Sequence, residues 1–97
     1  MTKDLPFSFT EAALKEIKNI INHKNVPLDY GLRVGIRGGG CSGMSYLLGF
    51  DQQSDQDLVY FQGEIKIFLE KKHAMYIIGK TIDFEDGINA RGFIFKD

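Results

Sequence analysis

The single cysteine, Cys41, is the residue of this chain best suited to chemistry. It lies within residues 37–44, Arg-Gly-Gly-Gly-Cys-Ser-Gly-Met, which hold four of the eleven glycines. Glycine-rich backbone leaves a thiol unscreened, and nearby N–H groups together with Arg37 could lower its pKa. The thiolate binds soft metals or attacks electrophiles. We therefore predict a presented thiol in a site loop made of Gly38, Gly39, Gly40, Ser42 and Gly43.

Two other interpretations of Cys41 stay open at this point. A free cysteine is often a small, inert core residue, although a core cysteine needs no glycine cradle. A nucleophilic cysteine needs a base nearby. The two histidines, His23 and His73, are both distant in sequence and each is typical of a surface residue. Either could approach Cys41 in space, but no base is evident, so we predict that the protein is not an enzyme.

Two binding motifs are disfavoured by their local pattern. A phosphate-binding glycine loop leads into a helix and ends in Gly-Lys-Ser/Thr, whereas a strand pattern follows Cys41 here. The acidic segment 51–57 lacks the turn glycine and the terminal glutamate of a calcium loop. We predict that this segment is a solvated loop.

Composition limits the class of protein. The chain has 97 residues, which suits one domain over residues 1–97, and 43% of them are hydrophobic. Twelve basic and thirteen acidic residues give a net charge of −1, which argues against nucleic acid or membrane as partner. There is no apolar run long enough to span a membrane, no signal core at the N-terminus and one unpaired cysteine. These features predict a cytoplasmic protein.

Two segments have the periodicity of helices. Apolar residues at helical spacing predict an amphipathic helix over residues 10–23, capped by Ser8 or Thr10. A short helix is predicted near residues 71–78, with Gly79 as its C-cap. Its expected apolar face consists of Ala74, Met75, Ile77 and Ile78.

The rest of the chain alternates with a period of two or forms short apolar runs. The predicted strands are 32–37, 44–50, 58–61, 65–69, 80–85 and 92–96. They do not alternate with crossover helices, so the pattern disfavours a doubly wound parallel sheet. The pattern favours a mainly β fold with flanking helices (α+β content), a sandwich or pseudo-barrel of mixed short strands. Cys41 then lies at a turn between two strands.

Residues 31–46, Gly-Leu-Arg-Val-Gly-Ile-Arg-Gly-Gly-Gly-Cys-Ser-Gly-Met-Ser-Tyr, closely resemble the central segment of the HesB/IscA/SufA family of A-type iron–sulfur cluster carriers. The resemblance extends to residues 9–13, 82–84 and 87–95. It implies a HesB-like fold in a homodimer or homotetramer. It also implies binding of iron or an iron–sulfur cluster, most simply [2Fe–2S], and its transfer to apo iron–sulfur proteins together with the assembly machinery.

The resemblance implies three cysteine ligands, of which Cys41 matches the first. The other two belong to a Cys-Gly-Cys-like tail that these 97 residues do not contain. A [2Fe–2S] cluster takes about four thiolates or substitutes, and a symmetric dimer of this chain offers two. The alternative hypothesis is therefore a tail-less family member that acts as an interaction or regulatory module without metal.

Overall fold

The computed structural model describes residues 5–38, 44–88 and 91–97. Seven strands, two α-helices and one 3₁₀ turn make up this part of the chain. The strands are β1 (Ser8–Phe9), β2 (Tyr30–Gly38), β3 (Met44–Gln52), β4 (Asp57–Gln62), β5 (Ile65–Glu70), β6 (Thr81–Asp86) and β7 (Arg91–Lys96). The helices are α1 (Glu11–His23) and α2 (Ala74–Ile77), and the 3₁₀ turn Lys71–His73 leads directly into α2.

The strands form two mixed sheets. The larger sheet has the order β3-β2-β5-β4, in which β2 and β5 are parallel and the outer pairs antiparallel. The smaller sheet has the order β1-β6-β7, with β1 parallel to β6. The predicted fold class, mainly β with mixed short strands and flanking helices, is confirmed. The sequence pattern did not predict β1, a two-residue strand at the edge of the smaller sheet.

Helix α1 begins at the predicted place, with Thr10 as its N-cap. The Thr10 hydroxyl accepts a hydrogen bond from the Ala13 N–H at 3.2 Å, which satisfies one of the free donors at the helix start. Ser8, the other predicted cap, belongs to β1 instead. Ala13 and Ile17 are buried, so the amphipathic pattern correctly identified the packed face.

The core lies between α1 and the inward faces of the two sheets. Alternate residues of β2 and β5 point into it, as the period of two predicts. Its fully buried aliphatic side chains are Ile17, Leu32, Val34, Ile67, Leu69, Ile77 and Ile82. Helix α2 contributes only Ile77 to this set. The expected apolar face of α2 is therefore wrong in part, because Met75 is 74% and Ile78 61% exposed.

The prediction of the C-cap is wrong by one residue: Ile78 caps α2, and next comes Gly79. Its φ of +81° lies in the left-handed region that favours glycine, and its N–H donates to the Pro6 carbonyl at 2.9 Å. None of the helices in the described part of the chain is both long and apolar enough to cross a membrane.

The acidic segment 51–57 is the predicted solvated loop only at residues 53–56, which are exposed. Asp51 belongs to β3 and Asp57 opens β4, so only residues 53–56 connect the two strands. Both carboxylates bind Arg33 of β2, and the Asp57 side chain has no exposed surface. Arg33, a largely covered cation on a distant strand, supplies the partner that local sequence cannot reveal.

Candidate functional site

The β2–β3 hairpin carries the segment that the sequence singles out. Its antiparallel register is unbroken from Tyr30↔Gln52 to Gly38↔Met44. Residues 39–43 therefore connect the two strand ends, and Cys41 is the middle residue of this five-residue connection. The predicted site residues Gly39, Gly40, Cys41, Ser42 and Gly43 lie outside the described residues.

Gly38 is the one predicted loop residue that the structure describes. It closes β2 with a φ of +83°, in the left-handed region that a side chain rarely adopts. β2 ends at this residue, and glycine is the residue that adopts such a backbone conformation without strain. Arg37, which we expect to lower the thiol pKa, lies immediately before it and is exposed.

His73 lies against β2 just before this exit, which makes the prediction of a surface histidine wrong. Its side chain is only 18% exposed. The Ile36 N–H donates to His73 Nδ1 at 3.4 Å. A Cβ added at Gly35 would lie 2.6 Å from the same nitrogen, so a side chain at this position would collide with the ring. Glu70 Oε2 lies 3.6 Å from His73 Nε2 on the other edge of the ring.

His23, by contrast, is the surface residue that we predicted. It is exposed in the last turn of α1, and its Nδ1 lies 2.8 Å from the Asn19 carbonyl oxygen four residues earlier. A basic residue in the last turn is favourable to the helix dipole. His23 therefore has a local role in α1.

An aromatic contact joins the two sheets beside the hairpin. Tyr46 of β3 is opposite Ile36, and its ring stacks on Phe95 of β7 with centroids 4.4 Å apart and planes 5° apart. The Lys80 ammonium lies 5.9 Å from the Tyr46 centroid. An ion pair with Asp97 is the main reason that the pKa of Lys80 is raised. Tyr46 and His73 thus flank Ile36 from two directions.

No group of three or more His, Cys, Asp or Glu side chains close enough to hold a metal occurs among residues 5–38, 44–88 and 91–97. The thiol of Cys41 lies outside these residues. Thiolate is the soft ligand that iron–sulfur clusters require.

The family model for iron–sulphur cluster biosynthesis matches residues 6–97. The chain belongs to this family. It is 35% identical over 94 residues to the iron–sulfur cluster insertion protein ErpA of Burkholderia cenocepacia, an alignment that covers 96% of this chain and 76% of that protein. The family accordingly places the chain among proteins of iron–sulfur cluster assembly.

Two solved structures share the fold. Escherichia coli SufA, involved in biosynthesis of iron–sulfur clusters, superposes with a TM-score of 0.73 at 24% identity, covering 98% of this chain and 85% of that one. An IscA structure with a [2Fe–2S] cluster gives a TM-score of 0.76 at 19% identity, covering 94% and 84%. The resemblance seen in residues 31–46 is confirmed at the level of family and fold.

Sequence reasoning found the hairpin but missed two of its neighbours. The alternation of β2 and β3 and the glycines between them identified the connection. Neither the seat of His73 nor the Tyr46–Phe95 stack has a local signal, since each joins segments more than 35 residues apart. A buried glycine in the middle of a strand, as at Gly35, was the available hint of a close approach.

Proposed function

We propose that this chain binds an iron–sulfur cluster through Cys41 and passes it to recipient apoproteins. The family match over residues 6–97 supports this proposal most strongly. The hairpin register agrees with it, because Cys41 is the middle of the five residues between the paired ends of β2 and β3. A thiol held in such a connection is suited to a cargo that must be both received and released.

Because the chain has one cysteine, each copy offers one thiolate ligand to a cluster. A [2Fe–2S] cluster takes about four protein thiolates or substitutes, while each copy of the chain supplies one. We infer a homodimer or homotetramer in which Cys41 thiolates from different copies face one cluster, with exogenous thiols completing the iron ligands. The [2Fe–2S] type is the smallest cluster that two such thiolates can bridge.

Release is a ligand exchange and needs no redox partner. Thiols of the recipient lose their protons and bind iron as thiolates, while each Cys41 thiolate and each exogenous thiolate leaves iron and takes up one of these protons. The iron and sulfide atoms, with their oxidation states, pass over unchanged. Weak tethering by one thiolate per copy favours this exchange. In this proposal the chain is a carrier and not an enzyme. It acts in the cytoplasm, with apo iron–sulfur proteins and the assembly machinery as partners.

Cluster transfer tests this function. The anaerobically loaded chain is mixed with an apo [2Fe–2S] ferredoxin in the presence of EDTA, and cluster arrival is followed by visible circular dichroism of the ferredoxin. We expect transfer from the wild type to resist EDTA, whereas free iron with sulfide is intercepted. Cys41→Ser should behave like free iron with sulfide.

The opposite result would favour the interaction module. If wild type and Cys41→Ser both give no more transfer than free iron with sulfide, the carrier function is wrong. If the assembly machinery still binds both variants equally in a pull-down, the fold serves as a docking module that does not need the thiol.

A further inference from the structure

We infer that His73 is a positioning residue for the cluster site: its ring holds the end of β2 from which the Cys41 segment departs. The inference rests on the proposed role of Cys41 as cluster ligand. It concerns a residue outside the glycine–cysteine segment, and it arises from three contacts of one imidazole ring with β2 and the end of β5.

The sheet explains why β2 needs this support. The parallel pairing of β5 with β2 runs from Leu32↔Ile67 to Val34↔Leu69, and β5 ends one residue later at Glu70. The next β2 amide on that side is the Ile36 N–H, which donates to His73 Nδ1 at 3.4 Å. The imidazole thus takes the place of the strand carbonyl that would otherwise continue the ladder.

The ring is oriented by its other contacts. A nitrogen that accepts a hydrogen bond carries no proton, so the neutral ring holds its proton on Nε2. Nε2 faces the Glu70 carboxylate at 3.6 Å, which favours this tautomer. The ring also lies close to Gly35, where a Cβ would come within 2.6 Å of Nδ1. Glycine at position 35 is what lets the ring approach the Ile36 amide.

The contact between His73 and Ile36 matters because it lies close to Cys41 in the chain. Ile36 lies two residues before Gly38, where β2 ends with a φ of +83°. On the other side of β2, Ile36 is opposite Tyr46, which is stacked on Phe95. The end of β2 is therefore held on one side by His73 and on the other side by β3. Cys41 follows Ile36 by five residues in the chain, so we expect the position of this strand end to affect the thiol and the cluster that it binds.

Amide hydrogen exchange tests the contact directly. His73→Leu keeps the approximate size of the side chain and removes the acceptor, whereas His73→Asn keeps an acceptor on Cγ in place of Nδ1. We expect exchange at the Ile36 amide to rise about tenfold in His73→Leu, the factor expected for one lost hydrogen bond. In His73→Asn it stays near the wild-type rate. The exchange rates of the β4 amides report global stability, and those of the α2 amides report any capping effect of Asn. Both sets of rates should be the same in the two variants.

A double substitution tests the seat of the ring. Gly35→Ala should raise Ile36 exchange in the presence of His73, because the new methyl group displaces the imidazole. In the His73→Ala background the space is open, so Gly35→Ala should add nothing. Gly49→Ala is the matched control, because Gly49 lies on the paired strand β3 and a Cβ there meets nothing within 4 Å.

The reactivity of the Cys41 thiol tests whether His73 affects the cluster site. We expect the alkylation rate of Cys41 to change by about threefold or more in His73→Leu and to be restored in His73→Asn, since local opening changes thiol access. The visible circular dichroism of the reconstituted cluster should follow the same order. Unchanged Ile36 exchange and alkylation in His73→Leu, or equal increases at every amide, would overturn the inference. Exchange and alkylation need no cluster, so they test His73 even if the proposed carrier function fails.

Discussion

Arg33 and Asp57 form a two-point ion pair across three strands of the larger sheet. Arg33 Nη1 donates to Asp57 Oδ1 at 2.7 Å and Nη2 to Oδ2 at 2.8 Å. The two residues lie on β2 and β4, which are separated by β5, and the guanidinium carbon lies 5.8 Å from the centroid of Phe68 on that intervening strand. Arg33 Nε also donates to Asp51 at 3.0 Å. The Arg33 cation therefore links three strands, β2, β3 and β4.

Removing the charge of Asp57 should destabilise the fold. In Asp57→Asn the amide cannot accept both Arg33 bonds, and the side chain at this position is fully covered. Arg33 retains 15% exposure, so we expect a loss of about 2 kcal/mol in the free energy of unfolding, between the values for surface and buried pairs. Urea denaturation measures it. Asp55→Asn, on the exposed part of the same connection, is the control and should stay within about 0.5 kcal/mol. Equal midpoints for the two variants would show that the ion pair contributes no stability.

The Asp83 carboxylate should make stability fall in acid. Lys96 at 2.8 Å and the Thr10 hydroxyl at 2.6 Å lower the pKa of Asp83 from 3.8 to about 2, with the Phe84 N–H adding to the effect. The unfolded chain therefore binds more protons between these two values. Stability is fully present above about pH 4 and is lost as pH falls toward 2.

Substitution of this network should flatten the acid profile. Urea midpoints measured from pH 5 to pH 2 should decline less steeply in Asp83→Asn than in the wild type. Lys96→Met, which removes the largest cause of the pKa shift, should lie between them. Parallel profiles for all three proteins would mean that Asp83 titrates alike in the folded and unfolded chain.

Gly31 should not tolerate alanine, although it lies in a regular strand. A Cβ there would come within 2.7 Å of the Phe68 ring and 3.1 Å of the Lys66 carbonyl oxygen. Phe68 is fully buried and cannot move aside, so we expect Gly31→Ala to lower the free energy of unfolding by about 1–3 kcal/mol. Thermal and urea unfolding measure this loss. Gly49→Ala has open space at its Cβ and should be neutral or slightly stabilising, and a neutral Gly31→Ala would contradict the close packing at β2.

The sequence was most informative where neighbours in the chain are also neighbours in space. The alternation of Leu32 and Val34 with polar residues predicted β2, and the spacing of Ala13 and Ile17 predicted the buried face of α1. Contacts between distant segments left no such pattern. The acidic residue Asp57 is typical of a loop until Arg33 is known to face it, and Met75 has the spacing of a core residue although α2 is too short to bury it.

The same division applies to the site. The glycine–cysteine segment could be found from residue types and from its likeness to a family, because its chemistry is local. His73 could not, since its role depends on where β5 ends relative to β2. The assignment of Cys41 as ligand, the cluster type and the oligomeric state stay predictions.

Visible absorption after anaerobic reconstitution with iron and sulfide tests the central claim most directly. Wild type and Cys41→Ser are compared at equal concentration, with acid-labile sulfide and iron counted per chain and the oligomeric state measured by light scattering. We predict cluster absorption bands and near-equal iron and sulfide in wild-type oligomers, and loss of both in Cys41→Ser. A colourless wild type, or a Cys41→Ser variant that binds the cluster as well as the wild type, would contradict the assignment of Cys41 as the cluster ligand.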